Sequence, residues 1–119
     1  MKNTQFSPET EQELTMARRS RREGNEGRAR VCARRAAGFA VQRHLQKKGI
    51  LPKEVNAYQA LLHYREQPEL AAEVSEALGW LTARVDHDYQ LPEGVDLIQE
   101  AEVVITSVGD QPEDTEADG

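Results

Sequence analysis

The side chains best suited to chemistry in this chain are arginines gathered in its first third. Eight of them lie between positions 18 and 35: Arg18, Arg19, Arg21, Arg22, Arg28, Arg30, Arg34 and Arg35. A guanidinium presents a planar fork of donors that matches phosphate or carboxylate oxygens. Residues 1–50 hold twelve of the fifteen Lys and Arg residues but only five of the twenty-one Asp and Glu residues. The cluster therefore predicts an anionic partner, either a nucleic acid or the acidic remainder of the same chain.

Six of these arginines are the candidate anion- or nucleic-acid-binding residues: Arg18, Arg21, Arg22, Arg28, Arg34 and Arg35. On one hypothesis they form a surface that binds phosphates. On the alternative they pair with glutamates of the fourth helix or of a second subunit, or only solvate a helix face. No aromatic residue is interleaved among them, so a base would have no stacking platform there.

A second candidate group, for acid–base chemistry, consists of Arg84, Asp86 and His87. A histidine flanked by carboxylates can transfer protons or bind a metal ion. Neighbouring residues on a helix point in different directions, however, so these groups do not converge. The favoured interpretation is a helix C-terminus where His87 meets the helix dipole. No catalytic residue, metal site or cofactor is predicted.

Two further reactive types are given structural interpretations. A general base at His44, next to Arg43, would need an orienting partner, and none is evident, so the pair is expected at the surface. Cys32 is expected to be buried and inert. As the only cysteine it excludes an internal disulfide, which favours a reducing, cytoplasmic setting.

Five helices and no strand are predicted to position these side chains. Their expected ranges are about 8–22, 28–48, 57–66, 68–87 and 95–108. The first starts at Ser7-Pro8, a glycine-containing break follows at residues 24–27, and Asn56 caps the third helix. The predicted fold is an all-α, antiparallel four- to five-helix up-down bundle. It spans residues 8–108, after an N-terminal extension (1–7) and before an acidic, disordered tail (109–119).

The second helix carries a stripe of small residues that lets a neighbour approach closely: Ala29, Ala33, Ala36, Ala37 and Ala40. A homodimer could bury this stripe or extend the core. No segment has the roughly 20 apolar residues that span a bilayer, and the polar start MKNTQFSPETEQE is unlike a signal peptide. The chain is therefore expected to have no membrane partner.

Two segments resemble HEPN domains, which are small helical bundles. EGRARVCARRAAGFAVQRHLQKKGI (residues 26–50) is similar to the family's second helix, and GWLTARVDHDYQLPEGVDLIQEAEVVI (residues 79–105) is similar to its last two helices. The resemblance implies a four-helix up-down bundle, often a homodimer, with roles in nucleotide or RNA binding. Many members are ribonucleases, toxins or partners of nucleotidyltransferases.

The ribonuclease members of that family carry an arginine, four to six residues, and then a histidine. This spacing is absent here: Arg43 directly precedes His44, and two residues separate Arg84 from His87. The leading functional hypothesis is a non-catalytic module that contacts RNA, DNA or nucleotide phosphate, within a toxin–antitoxin or nucleotidyltransferase-associated pair. The alternatives are a regulatory interaction protein without nucleic-acid affinity and, third, a ribonuclease that uses Arg84 and His87.

Overall fold

Five α-helices make up the computed structural model, which describes residues 6–51, 54–83 and 94–110. The helices are α1 (Pro8–Arg22), α2 (Glu26–Lys47), α3 (Ala57–Arg65), α4 (Ala72–Thr82) and α5 (Leu97–Ser107). No strand occurs in these described ranges, so the all-α prediction is confirmed.

The helix starts follow from local chemistry. Pro8 occupies the first turn of α1, where its missing N–H is not needed, and the Ser7 carbonyl accepts from the Glu11 N–H at 2.9 Å. The Asn25 side chain caps α2 by accepting from the Arg28 N–H, so this helix begins two residues earlier than predicted. Asn56 and Gln59 form a reciprocal capping box at the start of α3, which confirms the predicted cap.

Helix α4 is shorter than the apolar stripe predicts. Residues 68–71 precede it, and Ala71 is extended. At the other end the Thr82 hydroxyl donates to the Leu78 carbonyl at 2.8 Å, and Ala83 is again extended. A hydroxyl that bonds back to the preceding turn competes with the helical ladder, which agrees with a helix end at this point.

Helix α2 lies at the centre of the fold, packed against α1, α3 and α5. Its predicted small-residue stripe is fully buried within the chain: Ala29, Ala33, Ala36, Ala37 and Ala40. Gly38 belongs to the same buried face. It packs so closely against α3 that a Cβ atom there would lie 2.5 Å from the Ala57 Cβ. The face that a dimer was expected to bury is therefore covered by other helices of the same chain.

The order of contacts gives the helix directions. Glu9 lies against Arg43 and Glu13 against Arg35, so α1 and α2 are antiparallel. The contacts of α2 with α3 run in the same order along both helices: Gly38 meets Ala57, and the ring of His44 lies 5.9 Å from that of Tyr64. Strict up-down alternation is therefore not kept at this step, because α2 and α3 run in the same direction.

The two ends of the bundle are joined by a buried hydrogen bond. The Ser7 N–H donates to the Asp110 carboxylate at 2.9 Å, and the Asp110 side chain is almost fully buried. The Arg43 guanidinium lies 3.9 Å from the same carboxylate. This contact brings the start of α1, the end of α5 and the last turns of α2 together.

Candidate anion-binding surface

The turn between α1 and α2 positions the basic side chains. Gly24 has φ +83°, a left-handed conformation that favours glycine, and the Asn25 N–H returns to the Ser20 carbonyl at 2.8 Å. This closes α1 and starts α2 within three residues. Arg22 and Arg28 are thereby presented on either side of one tight turn.

Three of the six predicted anion-binding arginines are ion-paired within the chain. Arg18 contacts Glu102 of α5, and Arg35 lies 3.6 Å from Glu13 of α1. Arg21 binds two carboxylates. The predicted pairing with glutamates is thus observed for these three, but the partners lie on α1, α2 and α5 or just before α5, rather than on the fourth helix.

Arg21 is the centre of the best-formed of these networks. Its guanidinium contacts Glu26 at 2.7 Å and Asp96 at 2.9 Å. The hydrogen bond from Arg21 lowers the pKa of Glu26. For Asp96, partial burial alone would raise the pKa, but the Arg21 hydrogen bond and the N–H groups of Ile98 and Gln99 outweigh it and lower the pKa. Both carboxylates are therefore ionised at neutral pH, and the network ties the α1–α2 turn to the start of α5.

Arg34 serves the fold. Its side chain is half-buried, and its Nε donates to the Leu81 carbonyl at 3.1 Å. Because Leu81 is one of the last residues of α4, this bond joins the middle of α2 to the C-terminal end of α4.

Arg22 and Arg28 are both exposed and make no ion pair with any residue of the described ranges. Arg19 is nearly as accessible, with a loose contact of 3.9 Å to the equally exposed Glu23. These three residues are called the turn arginines below. They are the part of the cluster whose donors remain most available to an external anion.

A cleft at the other end of α2 was missed by sequence reasoning. Its volume is about 560 Å³, and its lining includes Phe39, Gln42, Arg43, Gln46 and Lys47 from α2 with Glu9 from α1. An aromatic ring here lies beside two cations, although Arg43 is already 3.3 Å from Glu9. The signal was present as i, i+3/i+4 and i+7/i+8 spacing from Phe39 on one helix face.

The other reactive residues singled out in the sequence are the acid–base candidates, His44 and Cys32. The acid–base candidates Arg84, Asp86 and His87 lie outside the described residues. His44 packs edge-on against Tyr64, and burial together with Lys48 and Lys47 lowers its pKa. Cys32 is buried, as predicted. Within the described ranges, no group of His, Cys, Asp and Glu side chains could hold a metal ion.

The acidic part of the chain has its own surface on α4. Glu73 and Glu76 are exposed, and neither makes an ion pair in the described part of the chain. Burial raises the pKa of the nearby Glu100, and the negative charges of Glu76 and Asp96 raise it further. Carboxylates on α4 and α5 thus repel one another.

No family model, no curated protein and no solved structure matches this chain. Among the described helices, none is both long and apolar enough to cross a membrane.

Proposed function

We propose that this chain is a non-catalytic, HEPN-like binding module that contacts the phosphates of RNA, DNA or a nucleotide. The observation that carries the proposal is the exposure of Arg22 and Arg28 without carboxylate partners among the described residues. Arg18, Arg21 and Arg35 all have such partners. The phosphate-binding surface is accordingly smaller than the six-residue cluster and centres on the turn arginines.

The expected mode of binding is electrostatic. Arginines that contact phosphates displace condensed counterions, so affinity falls steeply with salt and is largely independent of sequence. In the sequence, no aromatic residue stands among the turn arginines to offer a platform for base stacking. The cleft beside Phe39, with Arg43 and Lys47, supplies such a platform at the other end of α2.

The resemblance to HEPN domains supports a proposed biological context for this module. On that basis the module would act as a homodimer in a toxin–antitoxin or nucleotidyltransferase-associated pair. The absent Arg–His spacing supports a binding role rather than RNA cleavage.

Fluorescence anisotropy with labelled single-stranded RNA and duplex DNA, at low and moderate salt, tests the proposal. We expect binding that weakens with salt, with a slope of about 0.9 per phosphate contact on duplex DNA and about 0.7 on single strands. Arg22→Glu and Arg28→Glu should each weaken binding by about tenfold, because each replaces a phosphate contact by a repulsive charge. Arg65→Glu, the same charge change at an exposed position of α3 that lies outside both the α1–α2 turn and the Phe39 cleft, is the matched control.

Unchanged affinity in both turn variants would refute the proposal. Absence of binding even at low salt would favour the second candidate, a regulatory interaction protein without nucleic-acid affinity. The ion pairs of Arg18, Arg21 and Arg35 favour that candidate, because half of the six-residue cluster is already paired with carboxylates of the same chain.

A further inference from the structure

An apolar groove lies open between α2 and α3. Its volume is about 290 Å³, and its lining includes Val31, Arg35, Ala57, Tyr58 and Leu61. Val31 is 48% exposed and Tyr58 is 37% exposed, which makes them two of the most exposed large apolar residues in the described part of the chain. Neighbouring exposed apolar side chains with charged residues at their rim are typical of interaction surfaces.

The walls of the groove are held in place by hydrogen bonds to the end of α4. The Tyr58 hydroxyl donates to the Thr82 carbonyl at 3.0 Å, and the Arg34 Nε donates to the Leu81 carbonyl at 3.1 Å. The Tyr58 ring is therefore fixed rather than free to cover the groove. A partner would meet a preformed surface and would lose little free energy in ordering it.

A second hollow lies on the other side of Val31, between α1 and α2. Its volume is about 220 Å³, and its lining includes Met16, Arg28, Cys32 and Arg35. Val31 and Arg35 line both hollows and are one helical turn apart. They form a ridge with an apolar and a cationic member, and Arg35 stays half exposed (51%) despite its 3.6 Å contact with Glu13.

The exposed face of α4 has the complementary pattern. Glu76 and Trp80 are also one helical turn apart, with Glu76 exposed and Trp80 partly exposed. Along α2 the apolar Val31 precedes the cationic Arg35, whereas along α4 the anionic Glu76 precedes the aromatic Trp80. These two orders match when the helices pack antiparallel. Trp80 then lies against Val31 while Glu76 faces Arg35.

We propose that the occupant of the groove is α4 of a second copy of this chain. The Trp80 ring covers Val31 and Tyr58, and the Glu76 carboxylate pairs with Arg35. Because the end of α4 adjoins the groove in each copy, the contact is made twice around a two-fold axis. Direct pairing of two grooves is disfavoured, since it would oppose the arginines of both copies.

Sedimentation equilibrium at low and high ionic strength tests this assembly. We expect a monomer–dimer equilibrium that shifts to monomer with salt. Arg35→Glu and Glu76→Arg should each raise the dissociation constant by about tenfold or more, because each places like charges opposite one another twice. An equimolar mixture of the two variants should recover the dimer, since one contact of the mixed dimer then regains its ion pair with reversed sign and the other keeps the wild-type pair of Arg35 with Glu76.

Control reversals on the α1–α2 turn separate this proposal from phosphate binding. Arg22→Glu and Glu23→Arg make the same charge changes outside the groove and should leave the dissociation constant unchanged. If Arg35→Glu or Glu76→Arg loses its helical circular dichroism, Val31→Asp tests the same surface. Val31 is half exposed and takes part in no ion pair, and this variant should also dissociate the dimer.

Three results would overturn the proposal. The first is a monomer at every concentration at low ionic strength. The second is a dimer whose dissociation constant changes in none of the groove variants. The third is a mixture of the two reversed chains that stays dissociated.

Discussion

The two faces of helix α2 follow opposite rules. The inward face, which includes Ala33, Ala36 and Gly38, is wholly buried, and at Gly38 even an added Cβ atom would collide with Ala57. The outward face, with Arg28, Val31 and Arg35, is exposed and meets few neighbours. A single helix is thus constrained by close packing on one side and by charge on the other. Substitutions on the two faces should therefore fail in different assays.

Gly38→Ala should give the largest effect on stability. The added methyl group would lie 2.5 Å from the Ala57 Cβ and 2.8 Å from the Ala57 carbonyl oxygen, so α2 and α3 must separate. We expect a loss of about 3 kcal/mol in the free energy of unfolding, measured by urea denaturation. Gly79→Ala is the matched control, because its Cβ would meet nothing within 4 Å. That variant should gain up to about 1 kcal/mol from helix propensity.

A near-neutral Gly38→Ala would show that α3 can shift without cost. The inward face would then be no more demanding than the outward one, and the contrast between them would fail.

Arg21→Met should have an intermediate effect that depends on pH. Charge-assisted hydrogen bonds to Glu26 and Asp96 are lost, but all three side chains are more than a third exposed, so solvent screening reduces the expected cost to about 1 kcal/mol at neutral pH. The pKa values of both carboxylates are lowered in the folded state. Their contribution is therefore present above their ordinary pKa values and is lost as pH falls through the lowered ones.

Urea titrations of Arg21→Met from neutral to acidic pH measure this dependence. The wild-type chain should lose stability faster than the variant as the pH falls, so that the two curves converge. Arg22→Met, at the neighbouring position without an ion pair in the described ranges, should run parallel to wild type. Curves for Arg21→Met that stay a constant distance below wild type would contradict the electrostatic explanation.

Arg28→Ala should change stability least. Its side chain is exposed and makes no ion pair in the part of the chain that is described, so we expect a change within about 0.5 kcal/mol. The same variant should still weaken binding to labelled RNA. A large loss of stability would place Arg28 among the arginines that hold the fold, together with Arg21 and Arg34.

Local signals predicted the helices well because they act over a few residues. Pro8, Asn56 and the positive-φ glycines Gly49 and Gly109 begin or end helices where the sequence indicates. At the start of α4, residues 67–70 are not helical and line a pocket with His44 and Leu45 of α2. An apolar stripe does not reveal where a helix gives way to such a contact.

The partners of the arginines could not be predicted for a related reason. Arg18 and Glu102 lie 84 positions apart, and Arg21 and Asp96 lie 75 apart, so their pairing depends on how α1 and α5 are aligned. Composition shows that opposite charges exist but not which ones meet. Likewise, the cleft at Phe39 takes part of its lining, Glu9, from α1, which is distant from Phe39 in the sequence.

The buried bond between Ser7 and Asp110 has a consequence for chain connectivity. It places the two ends of the bundle side by side, while the α1–α2 turn at Gly24 is exposed and has open space around it. The first and last described segments therefore lie close together, and the packing of the helices does not require that the chain be open between them rather than at the α1–α2 turn. A circular permutant that joins the chain near Ser7 and Asp110 and opens it at Gly24 would keep every helix contact described above.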